Sequence, residues 1–327
     1  MIRALLIVAL FGFVCIAGAG YIGVKTLTTI DGPLKSDTLV YIAPGTGVKA
    51  MAHQFSRAGA VDAAWIFQAA ALLGRNNGPL QAGEYMIDDS ASAAEIVAQL
   101  QAGKTYARSL TIPEGLMAVE IVALVNAADA LEGEIADVPR EGSLLPETYH
   151  YRRGDQRAAL IARMQKSMDT TLQKLWAARS DTTPARSMDE AVILASVVEK
   201  ETGVAAERTR VAGVFANRMR LGMPLQSDPT VIYAVTEGKF KLDRPLSRKD
   251  LAMPSPYNTY KNAGLPPTPI ANPGALSIAA VLNPETNDYI YFVADGTGGH
   301  AFAKTLAEHN ANVARWRAQA RGKNQPQ

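Results

Sequence analysis

Residues 187–203 read SMDEAVILASVVEKETG, a stretch that predicts a helix with a well-defined start and end. Ser187 with Glu190 three residues later forms a capping box at the first turn, and Gly203 is a natural C-terminal stop. At 100° per residue, four apolar side chains share one face of this helix: Ala191, Leu194, Val197 and Val198. We therefore expect a helix that packs this face into a core.

The same periodicity separates two acids near the end of the helix. Glu201 falls within the apolar stripe, whereas Glu199 falls on the opposite face, so we expect Glu201 to point toward the core or a cleft and Glu199 away from it. A carboxyl held against apolar neighbours has a raised pKa, which suits a general acid near neutral pH. The alternative is a structural ion pair between Glu201 and a buried arginine, Arg208 or Arg218. Periodicity nominates a site here without identifying a reaction.

The N-terminus carries a long uncharged run. No charged residue lies between Ala4 and Val24, and about 20 apolar residues are enough to cross the hydrocarbon core of a membrane. We predict a retained anchor over residues 4–24, with residues 1–3 cytoplasmic and the rest of the chain outside. The Ala-x-Ala pattern at 17–19 leaves a cleaved signal peptide as the alternative, but the length of the run favours the anchor.

Composition excludes several classes of function. The chain has 327 residues, 48% of them hydrophobic and 20% charged, which is a globular composition. A net charge of +2 gives no global electrostatic attraction for nucleic acid. Cys15 is the one cysteine, and the four histidines are scattered without the spacing of metal ligands. We therefore expect no disulfide within the chain, no metal and no cofactor.

The remaining sequence predicts a mixed α+β protein built in segments. Residues 25–37 read as a linker, 38–106 as a small α+β subdomain, 107–180 as a connecting helical region and 181–322 as the catalytic domain. Within the subdomain, strands are expected near 38–43, 83–87 and 104–112, and helices over 48–58, 61–73 and 92–101. Ser92 and Glu95 form a second capping box. Near the C-terminus, residues 295–299 read as a hairpin turn between two strands.

Several ordered motifs carry a resemblance to a known family. They are Ile112-Pro-Glu-Gly115, Leu145-Pro-Glu-Thr-Tyr149, Ala195-Ser-Val-Val-Glu-Lys-Glu-Thr202, Val214-Phe-Ala-Asn-Arg218, Leu225-Gln-Ser-Asp-Pro-Thr230, Tyr257-Asn-Thr-Tyr260, Gly264-Leu-Pro-Pro267, Ile270-Ala-Asn-Pro-Gly274 and Tyr291-Phe-Val-Ala294 through Gly299-His300. Together they resemble the endolytic murein transglycosylase, or YceG-like, family over almost the whole chain. Leu144-Leu145 departs from the family's usual Tyr-Leu-Phe, which we expect to affect packing.

This resemblance implies a fold, a reaction and partners. It implies a LysM-like subdomain over residues 38–106 and a lysozyme-related mixed α/β catalytic domain after it. It also implies a lytic transglycosylase of the inner membrane, with Glu201 as acid and then base at the bond between N-acetylmuramic acid and N-acetylglucosamine, leaving a 1,6-anhydro end. The implied partners are peptidoglycan glycan strands, and penicillin-binding proteins or other wall-synthesis proteins. We expect no nucleic-acid partner.

Polar residues of these motifs are candidates for substrate binding. Tyr257, Asn258 and Tyr260 offer amide and phenol groups for an acetamido sugar, or else form a turn packed by two tyrosines. Asn217 and Gln226 are polar cleft residues or structural caps. The resemblance calls for a single acid, and each nearby aspartate has a structural role available. Three aspartates are concerned: Asp228 as a helix N-cap before Pro229, and Asp243 and Asp250 in charged, exposed stretches.

Three rivals remain open at this point. A non-catalytic wall-binding scaffold would tolerate Glu201→Gln. A lysozyme-type hydrolase would make reducing ends and need a second carboxylate near the cleft. A cytoplasmic small-molecule enzyme conflicts with the anchor and with the lack of a cofactor motif.

Overall fold

The computed structural model describes residues 2–323, which form two compact units. The first unit contains the chain up to Arg108 together with Tyr151–Arg153, and the second contains Ser109–His150 and the chain from Gly154 onward. Helices dominate both units, and the described strands pair as three two-stranded sheets. The mixed α+β class predicted from the sequence is confirmed. Most of the predicted connecting region, 107–180, belongs to the second unit.

The first unit alternates strands and helices much as the sequence patterns indicated. Its elements are α1 (Ile2–Thr29), β1 (Thr38–Ile42), α2 (Val48–Arg57), α3 (Ala64–Leu73), β2 (Gly83–Ile87) and α4 (Ala93–Ala102). Strands β1 and β2 run antiparallel, with Thr38 opposite Ile87 and Ile42 opposite Gly83. The capping box at the start of α4 is present, because Ser92 accepts from the Glu95 amide and Glu95 accepts from the Ser92 amide. Whether this unit is LysM-like stays a prediction.

A buried carboxylate links the segment Tyr151–Arg153 to the rest of the first unit. Glu84 on β2 is 4% exposed. Its two oxygens accept from Arg108 at 3.1 Å and from Arg153 at 2.8 Å. The Arg153 guanidinium also lies over the ring of Tyr41, 5.2 Å from its centre. Pairing with two arginines satisfies a charge that burial alone would make unstable.

The N-terminal helix is longer than the predicted anchor. Its stretch Leu6–Thr29 is long and apolar enough to span a membrane, the one such helix within residues 2–323, and is consistent with a single-pass membrane protein. The prediction of a linker over 25–37 is wrong in part. Helix α1 continues to Thr29, and Leu34 is buried in the core of the first unit. The Gly32 amide also donates to the Ser90 carbonyl at 2.8 Å, so this segment is held by the subdomain.

The second unit is mostly helical around one apolar core. Its elements are β3 (Arg108–Thr111, entering from the first unit), α5 (Ala118–Ala127), β4 (Thr148–Tyr151, leaving toward it), α6 (Arg157–Ala177), α7 (Met188–Glu201), α8 (Arg208–Arg220), α9 (Asp228–Thr236), α10 (Arg248–Leu251), α11 (Ala275–Leu282), β5 (Tyr291–Ala294), β6 (His300–Ala303) and α12 (Leu306–Lys323). The predicted hairpin is confirmed, since β5 and β6 pair antiparallel with Ala294 opposite His300. Helix α7 contributes buried residues between Ala191 and Val198 and packs against α6, α8 and α11.

Candidate active site

Helix α7 delivers Glu201 at its last turn. Ser187 caps the helix by accepting from the Glu190 amide at 3.1 Å. The predicted capping box is only half formed, because Glu190 accepts from the Arg186 amide instead. The helix ends as Thr202 turns extended, and its hydroxyl accepts from the Val204 amide, so Gly203 does not supply the stop. Glu201 is thus the final helical residue of a rigid core element.

The prediction that Glu199 points away from the core is wrong. Its side chain is only 7% exposed, and it accepts from the Gly274 amide at 2.9 Å. Arg208 lies 3.7 Å from Glu199 and 3.6 Å from Glu114. The physical reason is that α7 is covered on more than one side, since Val192 is also buried. A helix surrounded by protein does not have the polar face that an amphipathic pattern assumes.

Glu201 occupies a half-buried position crowded by protein atoms. Burial, the largest effect, raises the pKa of its carboxyl to about 7, and the charge of Asp228 adds to this. The nearby Ser227 hydroxyl, a potential donor to the carboxylate, lowers the pKa of Glu201, and His300 and Arg218 lower it through their charge. A carboxyl with this pKa holds its proton near neutral pH and releases it readily, as a general acid requires.

The turn before α9 brings a hydroxyl to Glu201 through strained backbone. Gln226 has φ 50°, a left-handed conformation that is uncommon outside glycine. Its amide donates to the Thr259 carbonyl at 3.0 Å, and the next amide, of Ser227, donates to the Thr259 hydroxyl at 3.0 Å. The loop at Thr259 therefore fixes the turn from outside, while the Gln226 side chain itself is exposed.

Asp228 lies closer to the chemistry than its predicted capping role implied. The N-cap of α9 is Ser227, and Asp228 belongs to the first turn, so the predicted N-cap is one residue off. Its carboxylate accepts from the Tyr260 hydroxyl at 2.7 Å. Burial, together with that bond, raises the pKa of the Tyr260 phenol well above its usual value. Asp228 and Tyr260 thus form a hydrogen-bonded pair, and the charge of Asp228 raises the pKa of Glu201.

The β5–β6 hairpin adds a histidine paired with an acid. The His300 Nδ1 atom lies 2.7 Å from a carboxylate oxygen of Glu207, whose other oxygen accepts from the His300 amide at 3.0 Å. The ring packs edge-on against Phe292, with 5.4 Å between centres. Two bonds from one carboxylate fix both the backbone and the ring orientation of His300.

The structural ion-pair alternative for Glu201 does not hold in the described chain. Arg208 lies near Glu199 and Glu114. Arg218 donates to the backbone carbonyls of Leu225 and Ile290 at 2.6 and 2.7 Å, and burial lowers its pKa. Within residues 2–323, the ion pairs closer than 4 Å do not include Glu201. Arg218 therefore acts on Glu201 as a nearby charge, and the Glu201 carboxyl is not held in an ion pair with it.

Three of the five predicted substrate residues are engaged in structural bonds. The Asn217 amide donates to the carbonyls of Asn287 and Tyr289. Asn258 is fully buried and donates to two backbone carbonyls of the preceding loop. The Tyr257 hydroxyl bonds Thr268 at 2.8 Å, and its ring packs on Tyr233. Of the other two, Gln226 belongs to the turn before α9, and the Tyr260 hydroxyl donates to Asp228 in the first turn of that helix.

A cavity of about 330 Å³ lies against one face of α9, where its lining residues are Pro229, Ile232, Tyr233 and Thr236. Lys200, beside Glu201 in sequence, and the half-exposed Phe240 also line it. Among the described residues, Glu201 itself does not line this cavity. A cavity with apolar and polar walls can hold a sugar by stacking and hydrogen bonds.

Other acids near the site have structural roles. Asp250 was predicted to be exposed but is buried in a capping box with Ser247 and bonded to Arg244 at 2.6 Å. Asp243 is exposed, as expected. Glu141, which sequence reasoning did not single out, is buried and accepts from the Ala118 amide at 2.8 Å, and burial raises its pKa to about 7. The described residues contain no group of three or more histidines, cysteines or acids placed to hold a metal ion.

Sequence reasoning missed Ser227 and Glu207 as parts of the site and gave Asp228 another role. Ser227 gave no signal by itself, because its backbone is placed by a bond to Thr259, 32 residues away. Glu207 lies 93 residues from His300, so no local pattern joins them. The motif Leu225-Gln-Ser-Asp-Pro-Thr230 was the one available signal for this turn.

Comparison with known proteins assigns the chain to a family. The YceG-like family matches residues 40–315, and the chain belongs to that family. It is 32% identical to the endolytic murein transglycosylase of Bacillus subtilis, covering 90% of this chain and 89% of that protein. The endolytic murein transglycosylase of Streptococcus pneumoniae is 30% identical over 96% of this chain, which spans 65% of that longer protein. A crystal structure of a YceG-like protein from Listeria monocytogenes covers 85% of this chain and 99% of its own, with 30% identity and a TM-score of 0.52.

Proposed function

We propose that this protein is an endolytic lytic transglycosylase that cleaves the bond between N-acetylmuramic acid and N-acetylglucosamine in peptidoglycan glycan strands. The observation that supports this most directly is one desolvated carboxyl, Glu201, at the end of a core helix with its pKa raised to about 7. The names of the similar proteins from two bacteria point to the same substrate.

Glu201 acts twice in the proposed reaction. As an acid it gives its proton to the glycosidic oxygen, and the bond from that oxygen to C1 of the muramic acid breaks. The C6 hydroxyl of the same sugar then bonds to C1, and its proton returns to the Glu201 carboxylate. The product is a 1,6-anhydro end, the acid is restored and no water is consumed. A pKa near 7 suits both halves of this cycle.

The hydrolase alternative has one observation in its favour. Asp228 is a second carboxylate whose charge reaches Glu201. Its oxygen, however, is bonded by the Tyr260 hydroxyl at 2.7 Å, which favours a supporting role over attack on the sugar. Reducing ends among the products would establish hydrolysis instead.

Substrate binding is proposed in the cavity beside α9, which Lys200 lines next to Glu201 in sequence. Gln226 and Tyr260 are the candidates for direct contact with the sugar, since Gln226 precedes Ser227 in the turn and Tyr260 bonds Asp228. The other three predicted residues, Asn217, Tyr257 and Asn258, would act by shaping the cleft wall through their bonds to the backbone and to Thr268.

The proposed location is the cytoplasmic membrane, with the catalytic unit outside. Helix α1 would anchor the chain with its N-terminus in the cytoplasm, and residues after it would reach the wall. This placement suits glycan strands as substrate and penicillin-binding proteins as working partners. A reporter fused after Gln327 that is active only outside the cytoplasm tests the orientation, and an inactive fusion would reverse it.

Product analysis tests the reaction and the residue together. We would incubate full-length protein in detergent with purified peptidoglycan and identify the fragments by mass spectrometry. The wild type should give internal fragments with 1,6-anhydro ends, and Glu201→Gln should give none. Glu199→Gln, on the same helix, is the matched control and should still cleave. Cleavage by Glu201→Gln would contradict the assignment, and no cleavage by the wild type, with an active reference enzyme present, would support the scaffold alternative.

A further inference from the structure

The Ser227 hydroxyl is buried without a full hydrogen bond. The residue is 1% exposed, and its Oγ finds no protein partner with good hydrogen-bond geometry. It nevertheless lies close enough to Glu201 to act on that carboxyl. Buried polar groups in native structures are almost always satisfied, so an unsatisfied one beside an acid calls for an explanation.

The backbone around Ser227 holds this hydroxyl in place. Its amide is bonded to the Thr259 hydroxyl, and its carbonyl accepts from the Thr230 hydroxyl at 2.7 Å. The preceding residue, Gln226, keeps its left-handed φ of 50°. Strain of this kind persists only where the surroundings enforce it, and it clusters at functional sites. The backbone that carries the hydroxyl therefore cannot move away from Glu201 without disrupting these bonds.

A resting, protonated Glu201 gives this hydroxyl no strong acceptor. The situation changes when the acid loses its proton, because a carboxylate is a much stronger acceptor and forms shorter bonds. Catalytic hydrogen bonds are often loose in the free enzyme and tighten during the reaction. The imperfect contact fits a bond that forms fully only after the first proton transfer.

We propose that Ser227 is a positioning residue for Glu201, donating a hydrogen bond to the carboxylate that exists between the two proton transfers. The inference rests on the proposed function. When the Glu201 proton moves to the glycosidic oxygen and the C1–O bond breaks, Ser227 holds the resulting carboxylate in place. The carboxylate then takes the proton of the C6 hydroxyl as that oxygen bonds to C1. Ser227 keeps its own proton throughout.

A matched pair of variants tests the proposal. Ser277 on α11 is also fully buried, and its hydroxyl also lacks a full hydrogen bond, so Ser277→Ala makes the same chemical change away from Glu201. We would measure kcat and KM for full-length wild type, Ser227→Ala and Ser277→Ala on soluble glycan strands from pH 5 to 9. Thermal unfolding of each variant would show whether it is folded at the assay temperature.

The expected result is specific to position 227. In Ser227→Ala, kcat should fall roughly tenfold with KM little changed, because the carboxylate loses its positioning. The alkaline limb of the kcat profile should move up by about half a pH unit to one unit, since losing a bond to the carboxylate raises the pKa of Glu201. Ser277→Ala should keep the wild-type profile. If Ser227→Ala fails to fold, Ser227→Cys is the substitute, because it keeps the approximate size of serine and a weaker donor. The alkaline limb of its kcat profile should move in the same direction as for Ser227→Ala, but by less.

Four outcomes would decide against the proposal or its basis. An unchanged kcat in Ser227→Ala would overturn it. Equal losses of kcat in Ser227→Ala and Ser277→Ala, with no change in the alkaline limb, would show that the hydroxyl is purely structural. A folded Ser227→Cys with reduced kcat and the wild-type alkaline limb would show the same. Either result would overturn the proposal. A wild type that releases no anhydro ends would refute the proposed function itself, which separates the two failures.

Discussion

Replacing Glu201 by Gln should stabilise the second unit at alkaline pH while removing its activity. In the fold, burial raises the pKa of Glu201 from 4.5 to about 7. Between these two values the folded state keeps a proton that the unfolded chain has released. Stability therefore falls as the pH rises from about 4.5 to 7, and above pH 7 the folded state carries the full penalty of a desolvated carboxylate. Glutamine has nearly the same shape and no charge.

The size of the effect follows from the pKa. At about 1.4 kcal/mol for each pKa unit, the penalty is about 3 kcal/mol above pH 7. For a unit of this size, each kcal/mol changes the Tm by about 2–4 °C. We therefore expect Glu201→Gln to melt at least about 6 °C above the wild type at pH 8, with a much smaller gain at pH 5.

Scanning calorimetry of the full-length protein in detergent at both pH values measures this difference. Glu134→Gln makes the same change at an exposed position of the second unit and should alter neither melting temperature. A variant no more stable than the wild type at pH 8 would refute the reasoning. An equal gain at pH 5 and pH 8 would do so as well, because the cause would then not be the charge.

Three further changes should destabilise the fold, each measurable by chemical denaturation or hydrogen exchange. Glu84→Ala leaves two arginines of the first unit without their shared carboxylate and should cost about 3 kcal/mol, with exchange increasing in β2; an unchanged rate would mean the bridge contributes nothing. Asn272→Ala removes bonds to the Leu144 amide and Glu141 and should cost about 2–3 kcal/mol, and a neutral result would show that water replaces them. Gly213→Ala, favourable in an ordinary helix, should instead destabilise by at least about 1 kcal/mol, because the new Cβ would lie 2.4 Å from the Glu285 carbonyl; a gain in stability would contradict the contact.

Local sequence patterns predicted most of the regular elements. The β1 and β2 strands, the helices α2, α3, α4 and α7, and the β5–β6 hairpin lie within a few residues of the predicted positions. The Ser92 capping box was predicted in full, because its bonds span only three residues. The N-terminal helix was predicted from hydrophobicity alone, although its extension through Thr29 was not.

Patterns failed where a residue's surroundings come from distant segments. Periodicity placed Glu199 outside, and it is buried because Gly274, 75 residues away, covers that face of α7. Asp250 was placed on the surface, and a turn with Arg244 buries it. Periodicity describes one helix against one core and carries no information about a second covering layer.

The sequence by itself determined the long apolar N-terminal helix, the order of the elements and the placing of Glu201 in the apolar stripe of α7, because each depends on hydrophobic spacing within a short segment. Tertiary structure alone decided what surrounds that acid. Ser227, Asp228 and His300 reach Glu201 from a strained turn, a helix start and a hairpin, and bonds to Thr259, Tyr260 and Glu207 fix them there. The pKa of a carboxyl depends on burial and on neighbouring charges in space, so the property that makes Glu201 a candidate acid arises only when these segments meet.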